Sequence, residues 1–93
     1  MNESEQLHRI IEGALFAAAE PLTIERIGEL FEENDRPDKD TIREALQKLT
    51  EDYQERGIEL KELASGYQFQ VRMDLSKWVK RLWQEKPPRY SRA

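Results

Sequence analysis

Histidine and paired carboxylates are the side chains of this 93-residue chain whose types could carry out chemistry. A histidine acts as a general base only beside a nucleophile or an orienting acid, and the sequence around His8, the single histidine, supplies neither. The pairs Glu32-Glu33 and Glu51-Asp52 stand in stretches of mixed charge, without the ligand spacing of a calcium loop. We therefore predict no catalytic, metal-binding or cofactor-binding residue and expect no enzymatic activity.

Composition narrows the class of protein further. The chain has no cysteine, which excludes disulfides and thiolate metal sites. Residues 1–6 are acidic where a signal peptide is basic, and no apolar run approaches the roughly 20 residues that cross a bilayer. We expect a cytoplasmic protein of one folded domain.

Charge is divided unevenly along the chain. Residues 1–71 hold eight basic and 17 acidic side chains, a net charge of −9, whereas residues 72–93 hold seven basic and two acidic side chains, a net charge of +5. A basic end of this kind suits weak contact with nucleic acid, with an anionic membrane surface or with the acidic part of a neighbouring protein. Its candidate phosphate contacts are Arg72, Lys77, Lys80 and Arg81.

A first helix is predicted from the apolar residues between Leu7 and Ala18, which recur at helical spacing. It should run from about Ser4 to Glu20, because Pro21 cannot continue a helix. His8 falls at the edge of its apolar stripe.

Two more helices follow at short intervals. Thr23 is expected to cap the second helix, and Asp38 or Asp40 the third, because their side-chain oxygens accept hydrogen bonds from free backbone N–H groups. Gly57 is the predicted end of the third helix. The buried stripe of this helix comprises Ile42, Ala45, Leu46, Leu49 and Tyr53.

The period of apolar residues changes from 3.6 to 2 after Gly57 and predicts two strands. Ser65-Gly66 is the expected hairpin turn, and the link between Pro21 and Thr23 is able to add a short third strand. Beyond the hairpin, Asp74 should cap a last helix. The apolar arc of that helix, expected to pack on the core, comprises Leu75, Trp78, Val79, Leu82 and Trp83.

This order of elements predicts an α+β, mainly α, winged helix-turn-helix domain: three helices, a two-stranded β-hairpin wing and a C-terminal helix. Residues 38–56, which include the third helix, carry six acidic and four basic side chains, an unsuitable surface for the DNA major groove. DNA binding therefore stays an alternative that uses the wing and the basic C-terminal helix.

Phe16 does not belong to the stripe of the first helix. It lies nine positions after Leu7, about half a turn away from the stripe at about 100° per residue. Two interpretations stay open: another part of the domain covers this second face, or the face is a contact with a partner or a second copy.

Three segments together resemble the segregation and condensation protein B (ScpB) family. They span residues 10–23, 64–72 and 87–93, and the likeness extends in order over nearly the whole chain. The resemblance implies a non-enzymatic scaffold in chromosome condensation and segregation, built from two tandem winged-helix domains, that forms a homodimer and binds the kleisin ScpA and, through it, SMC. We then expect nucleoid association, weak or indirect DNA contact and no membrane contact.

The resemblance also implies how the chain is divided. Residues 1–86 would form the first winged-helix domain, and residues 87–93 would begin the linker to a second, absent one. The first domain is the one that the family associates with dimerisation. We expect Leu15, Phe16 and Ala19 to lie at a protein interface.

Overall fold

A computed structural model describes residues 2–84. Helices α1 (Glu3–Ala17), α2 (Ile24–Gly28) and α3 (Lys39–Asp52) precede a hairpin of strands β1 (Ile58–Leu63) and β2 (Gly66–Val71). A short helix α4 (Ser76–Val79) follows, between the single 3-10 turns Met73–Leu75 and Lys80–Leu82. This order confirms the predicted mainly helical α+β winged-helix architecture. The predicted boundary between residues 86 and 87 lies outside the described residues.

Helix α1 is held at its start by a reciprocal cap. The Asn2 side chain accepts a hydrogen bond from the Glu5 backbone N–H at 2.7 Å, and the Asn2 backbone N–H donates to the Glu5 carboxylate at 3.2 Å. The helix ends at Ala17, three residues before the predicted Glu20, because Ala18 is already extended with ψ 137°. Because α1 ends here, the following residues can reach the hairpin. This long-range contact cannot be predicted from local helix propensity.

Capping of α2 and α3 follows the prediction at Thr23 and at Asp38. The Thr23 hydroxyl accepts from the Arg26 N–H at 3.1 Å, and the Asp38 carboxylate accepts from the Thr41 N–H at 2.8 Å. The prediction for Gly57 is wrong. Helix α3 ends at Asp52, well before Gly57, and a turn fills the interval.

The hairpin turn lies one residue earlier than predicted. Leu63 pairs with Gly66, so Ala64 and Ser65 form the turn and Gly66 begins β2. Gly66 has φ +131°, and a Cβ there would lie 2.5 Å from the carbonyl carbon of Leu22. Glycine is therefore required both by its backbone conformation and by a neighbouring chain segment.

Leu22 adds the predicted third strand as a single bridge. Its N–H donates to the Tyr67 carbonyl at 2.9 Å, and the Tyr67 N–H donates back at 2.7 Å. This pair ties the link between α1 and α2 to the edge of β2.

The core lies between the three main helices and β1. Its members are almost fully buried aliphatic side chains: Ile11, Leu15, Ile27, Ile42, Ala45, Leu46, Leu49 and Leu60. Those from α1 and α3 belong to the predicted apolar stripes of these helices, which confirms the stripes. Burial of these side chains supplies the main stabilising free energy of the domain.

The C-terminal segment departs from the prediction. Trp78, Leu82 and Trp83 are 60%, 77% and 75% exposed instead of packed on the core. Helix α4 is only four residues long and packs mainly against its own flanking turns. Asp74 lies inside the first of those turns and does not cap α4, whose N-cap residue is Leu75.

Candidate protein-interaction surface

The outer face of α1 presents an aromatic ring beside small residues. Phe16 is 82% exposed, so no part of residues 2–84 covers it. Gly13, one turn earlier, has no atom within 4 Å of the position that a Cβ would take. Ala17 and Ala19 are exposed as well. An apolar ring next to a low, open helix surface is suited to close approach by another chain.

Leu15 does not share this face. It is 4% exposed and belongs to the core, because one residue of helix rotates its side chain by about 100° from that of Phe16. The expectation for Leu15 is corrected accordingly, and the candidate interface keeps Phe16 and Ala19.

A groove of about 350 Å³ lies between this face of α1 and the hairpin, and we call it the α1 groove. Its walls include Gly13, Phe16, Tyr53, Ile58 and Phe69. The rings of Tyr53 and Phe69 pack at 4.9 Å between centroids, with their planes tilted by 53°. The groove therefore has a rigid aromatic wall.

A carboxylate stands at the edge of the α1 groove. The Tyr53 hydroxyl donates a hydrogen bond to Glu12, and this bond, aided by burial, raises the pKa of Tyr53 above its usual value. The contact joins α1 to the end of α3. It also places a charged acceptor beside apolar walls, which is a common arrangement at protein interfaces.

Arg72 has a structural role that the sequence did not reveal. Its guanidinium donates to the carbonyl oxygens of Tyr53 at 2.6 Å and Arg56 at 2.8 Å, just beyond α3, and forms a salt bridge with Glu59 at 3.3 Å. These bonds tie the end of β2 to the turn that follows α3, where the Tyr53 carbonyl also accepts a hydrogen bond from the Arg56 N–H at 3.2 Å. Three of the five N–H groups of the Arg72 guanidinium are engaged within the domain, and the phosphate contact expected of this residue stays a prediction.

The outer face of α3 is a surface of paired charges. Lys39 contacts Glu25 at 3.2 Å, Arg43 contacts Asp40 at 3.0 Å, and Lys48 contacts Asp52 at 2.6 Å. The hydrogen bond from Lys48 to Asp52, with the charge of that carboxylate, raises the pKa of Lys48. All three cations of the helix have carboxylate partners, which makes α3 a poor phosphate-binding element.

A second and larger groove, of about 770 Å³, lies at the N-terminal end of α1, and we call it the N-terminal groove. Leu7, Ile10, Phe31 and Pro37 supply apolar surface, and acidic side chains including Glu44 stand on its rim. Its walls come from α1, from α3 and from the loop before α3. Sequence patterns did not reveal it, because no periodicity links residues of three separate segments.

His8 is half-buried where α1 faces α3 and lines the N-terminal groove. Among residues 2–84, no group of three or more His, Cys, Asp or Glu side chains is arranged to hold a metal ion. No helix within this part of the chain is both long and apolar enough to cross a membrane.

Comparison with known proteins identifies relatives over almost the whole chain. The model of the family described as segregation and condensation complex subunit ScpB matches residues 9–93. The segregation and condensation protein B homolog of Coxiella burnetii is 56% identical over 84 residues, which cover 90% of this chain and 40% of that protein. The segregation and condensation protein B of Syntrophotalea carbinolica is 36% identical over 98% of this chain and 45% of its own length. The chain thus spans less than half the length of these two relatives.

Solved structures show the same fold. The crystal structure of ScpB from Mycobacterium tuberculosis superposes with a TM-score of 0.77 at 20% identity, over 96% of this chain and 57% of the other. A dimer of the ScpB N-terminal domain, complexed with ScpA peptide, superposes with a TM-score of 0.75 at 24% identity. It covers 95% of this chain, which matches the whole of that domain.

Proposed function

We propose that this chain, which belongs to the ScpB family of segregation and condensation complex subunits, is a non-enzymatic scaffold. In this proposal it pairs with a second copy of itself and binds an ScpA-type kleisin. The kleisin would connect it to SMC at the chromosome, in the cytoplasm. The observation that carries this proposal is the open apolar face of α1 at Phe16, since exposed aromatic surface of this kind is typical of protein contacts.

Pairing of two copies is proposed to use Phe16 and Ala19. Covering the exposed ring of Phe16 with a partner surface would be favourable, because it removes apolar surface from water. The similar ScpB N-terminal domain forms a dimer, which supports the proposal.

Kleisin binding is proposed to use the N-terminal groove. An amphipathic helix inserts its apolar side chains into a groove of this kind, and basic residues on its flanks would face the acidic rim at Glu44. The similar domain dimer is complexed with ScpA peptide, which supports a peptide partner of this type. In the same proposal, residues 1–86 form the winged-helix domain and residues 87–93 lead toward a second one.

An amide-resolved NMR titration with the central segment of the ScpA-type kleisin from the same source tests the binding. We expect shifts to cluster around Leu7, Ile10 and Phe31, and the variant Glu44→Lys to weaken binding. Glu51→Lys is the matched control, because it makes the same charge change on α3 away from the groove. A well-dispersed spectrum without shifts would contradict kleisin binding.

The variant Phe16→Asp tests the pairing. Because Phe16 is exposed, we expect a folded monomer by circular dichroism and sedimentation velocity. An unfolded variant would place Phe16 in the core instead, and an unchanged dimer would exclude this face.

DNA binding by the C-terminal segment is the second candidate function. Lys77, Lys80 and Arg81 are exposed, and none of them forms a salt bridge with another residue of 2–84. Affinity for a duplex of arbitrary sequence, measured by fluorescence anisotropy, would then fall steeply with added salt, and Lys80→Ala would lower the slope by about one unit. A salt-independent signal or none would exclude this function.

A further inference from the structure

Two features of this domain present aromatic surface that nothing within residues 2–84 covers. One is the α1 groove. The other is formed by Trp78, Leu82 and Trp83, and we call it the C-terminal aromatic patch. We propose that the C-terminal aromatic patch of one copy inserts into the α1 groove of a second copy, and that the exchange is reciprocal. This inference rests on the pairing proposed above and names the surface that Phe16 meets.

The C-terminal aromatic patch has no cover within residues 2–84. Trp78 and Trp83 are both more than half exposed, and the Lys77 ammonium lies 5.1 Å from the Trp78 ring centroid. Leu75 and Val79 of the same segment are half-buried. The exposed side chains therefore lie on the opposite side of α4 and its flanking 3-10 turns. Three large apolar side chains in water are a strong sign of a contact surface.

The α1 groove has the dimensions and lining for an aromatic side chain. Its volume of about 350 Å³ lies within the range of about 300–1,000 Å³ in which small molecules bind. The missing side chain of Gly13 leaves the surface of α1 open, and the Tyr53 and Phe69 rings offer faces and edges for aromatic packing. The Glu12 carboxylate at the edge is an acceptor for an indole N–H.

Opposite net charges in the two parts of the chain favour contact with a second copy. The patch is flanked by Lys77, Lys80 and Arg81, which have no salt-bridge partner among residues 2–84. Residues 1–71, which contain the α1 groove, carry a net charge of −9. The α1 groove itself is lined by one carboxylate, Glu12, and one cation, Arg9, so the attraction arises from the acidic remainder of a second copy and not from the groove.

The apolar area is sufficient for a stable pair. Phe16, Trp78 and Trp83 of each copy bury about 150–250 Å² per side chain when fully covered. With their present partial exposure, the six rings of a pair would remove roughly 600–1,000 Å² from water, and the adjacent aliphatic surface would bring the total above the about 1,000 Å² that a specific interface needs. A reciprocal contact also closes as a two-fold dimer and leaves neither feature exposed.

Intrinsic fluorescence of the intact 93-residue chain tests the inference directly. Trp78 and Trp83 are the only tryptophans, so the emission reports on the C-terminal aromatic patch alone. We expect the emission maximum to shift to shorter wavelength as protein concentration rises, over the same range in which sedimentation shows conversion from monomer to dimer. A dimer whose emission stays that of exposed indole would overturn the inference and leave the pairing itself in place.

Blocking the α1 groove is the complementary experiment. Gly13→Gln places a long side chain in the groove, and we expect the dissociation constant of the dimer to rise about tenfold or more. Gly13→Ala is the matched control, because it also replaces glycine by a better helix former but adds only one methyl group. Both variants should fold, since nothing lies within 4 Å of the new Cβ. Equal dimerisation of the two variants would overturn the inference.

The kleisin segment supplies the remaining outcome. If the tryptophan emission shifts only when that peptide is added, then the peptide, and not a second copy, occupies the patch, and the inference is wrong. If the chain stays monomeric at every concentration and the emission is constant, both the inference and the proposed pairing fail, while the NMR titration still decides kleisin binding on its own.

Discussion

Helix α3 and the C-terminal segment carry apolar residues in similar patterns but use them differently. In α3, Leu46 is 1% exposed, because α1, α2 and β1 surround its apolar face. In the C-terminal segment, Leu82 is 77% exposed, because α4 packs mainly on its own flanking turns. An amphipathic pattern therefore shows which face of a helix is apolar. The surrounding structure determines whether that face is buried within the same domain.

The same two regions also differ in how their cations are paired. The cations of α3 are paired with carboxylates, as Lys48 is with Asp52. Lys80 and Arg81 of the C-terminal segment have no such partners within residues 2–84. The packed region is thus internally satisfied, whereas the C-terminal segment has both apolar and charged groups available for another molecule.

The largest expected effect contrasts the two leucines. Leu46→Ala should lower the free energy of unfolding by about 2–5 kcal/mol, because it removes a fully buried side chain and leaves a cavity. Leu82→Ala should change it by less than about 0.5 kcal/mol, because the side chain is already in water. Urea denaturation followed by circular dichroism measures both. A large loss for Leu82→Ala would mean that this segment belongs to the core.

Two glycines give the next contrast, between a packed position and an open one. Gly66→Ala should destabilise the domain by about 1–3 kcal/mol, because the backbone has φ +131° and the new methyl group would meet Leu22. Gly13→Ala should stabilise it by about 0.5–1 kcal/mol, because α1 has open space there and alanine prefers a helix. Thermal unfolding curves should move in opposite directions. A shared direction would argue against this assignment of the two sites.

Arg72 and Lys80 test whether the basic residues have distinct roles. Arg72→Ala should cost about 1–2 kcal/mol of unfolding free energy, because the Arg56 carbonyl and the Glu59 carboxylate lose the guanidinium donor and the Tyr53 carbonyl loses one of its two donors. Lys80→Ala should be nearly neutral. Chemical denaturation of the two variants side by side is the measurement. Equal stability would show that Arg72 does not secure the end of α3.

The smallest expected effect concerns acid. Hydrogen bonds from Thr41, led by its backbone N–H, lower the pKa of Asp38 below its ordinary value of 3.8. A carboxyl group whose folded-state pKa is depressed contributes stability above its unfolded value, and this contribution is lost as the pH falls through the lower folded-state pKa. Asp38→Asn should therefore flatten the loss of stability below about pH 4.

Asp74→Asn is the matched control for that experiment, since Asp74 caps no helix in residues 2–84. Urea unfolding at a series of pH values compares the two variants with the unchanged chain. An unaltered acid slope for Asp38→Asn, or an equal effect of both substitutions, would contradict a special role of the α3 cap.

Local chemistry was sufficient for much of the fold. Thr23 and Asp38 were predictable as caps, because a side-chain oxygen at a helix start satisfies nearby N–H groups regardless of the remaining structure. The hairpin was predictable from its alternating pattern, although the turn consists of Ala64 and Ser65, and Gly66 belongs to the strand. The error of one residue arose because Gly66 was interpreted through its turn preference, while it is required by the approach of Leu22.

The candidate surfaces were less accessible to sequence reasoning. The outward position of Phe16 followed from helical periodicity, and the structure shows it exposed. The N-terminal groove was not predicted, because its walls join three segments. The role of Arg72 was also missed, since its hydrogen-bond acceptors lie 16 and 19 residues earlier in the chain.

By itself, the sequence determined the order of helices and strands, the buried stripes of α1 and α3 and the uneven charge, because these depend on residue types and short-range spacing. Only the tertiary structure decided where α1 ends, which cation secures α3, and that Trp78 and Trp83 stay in water. Those outcomes depend on which distant segments approach one another. Periodicity reveals the face that a helix seeks to bury, but the presence of a partner is a property of the assembled chain.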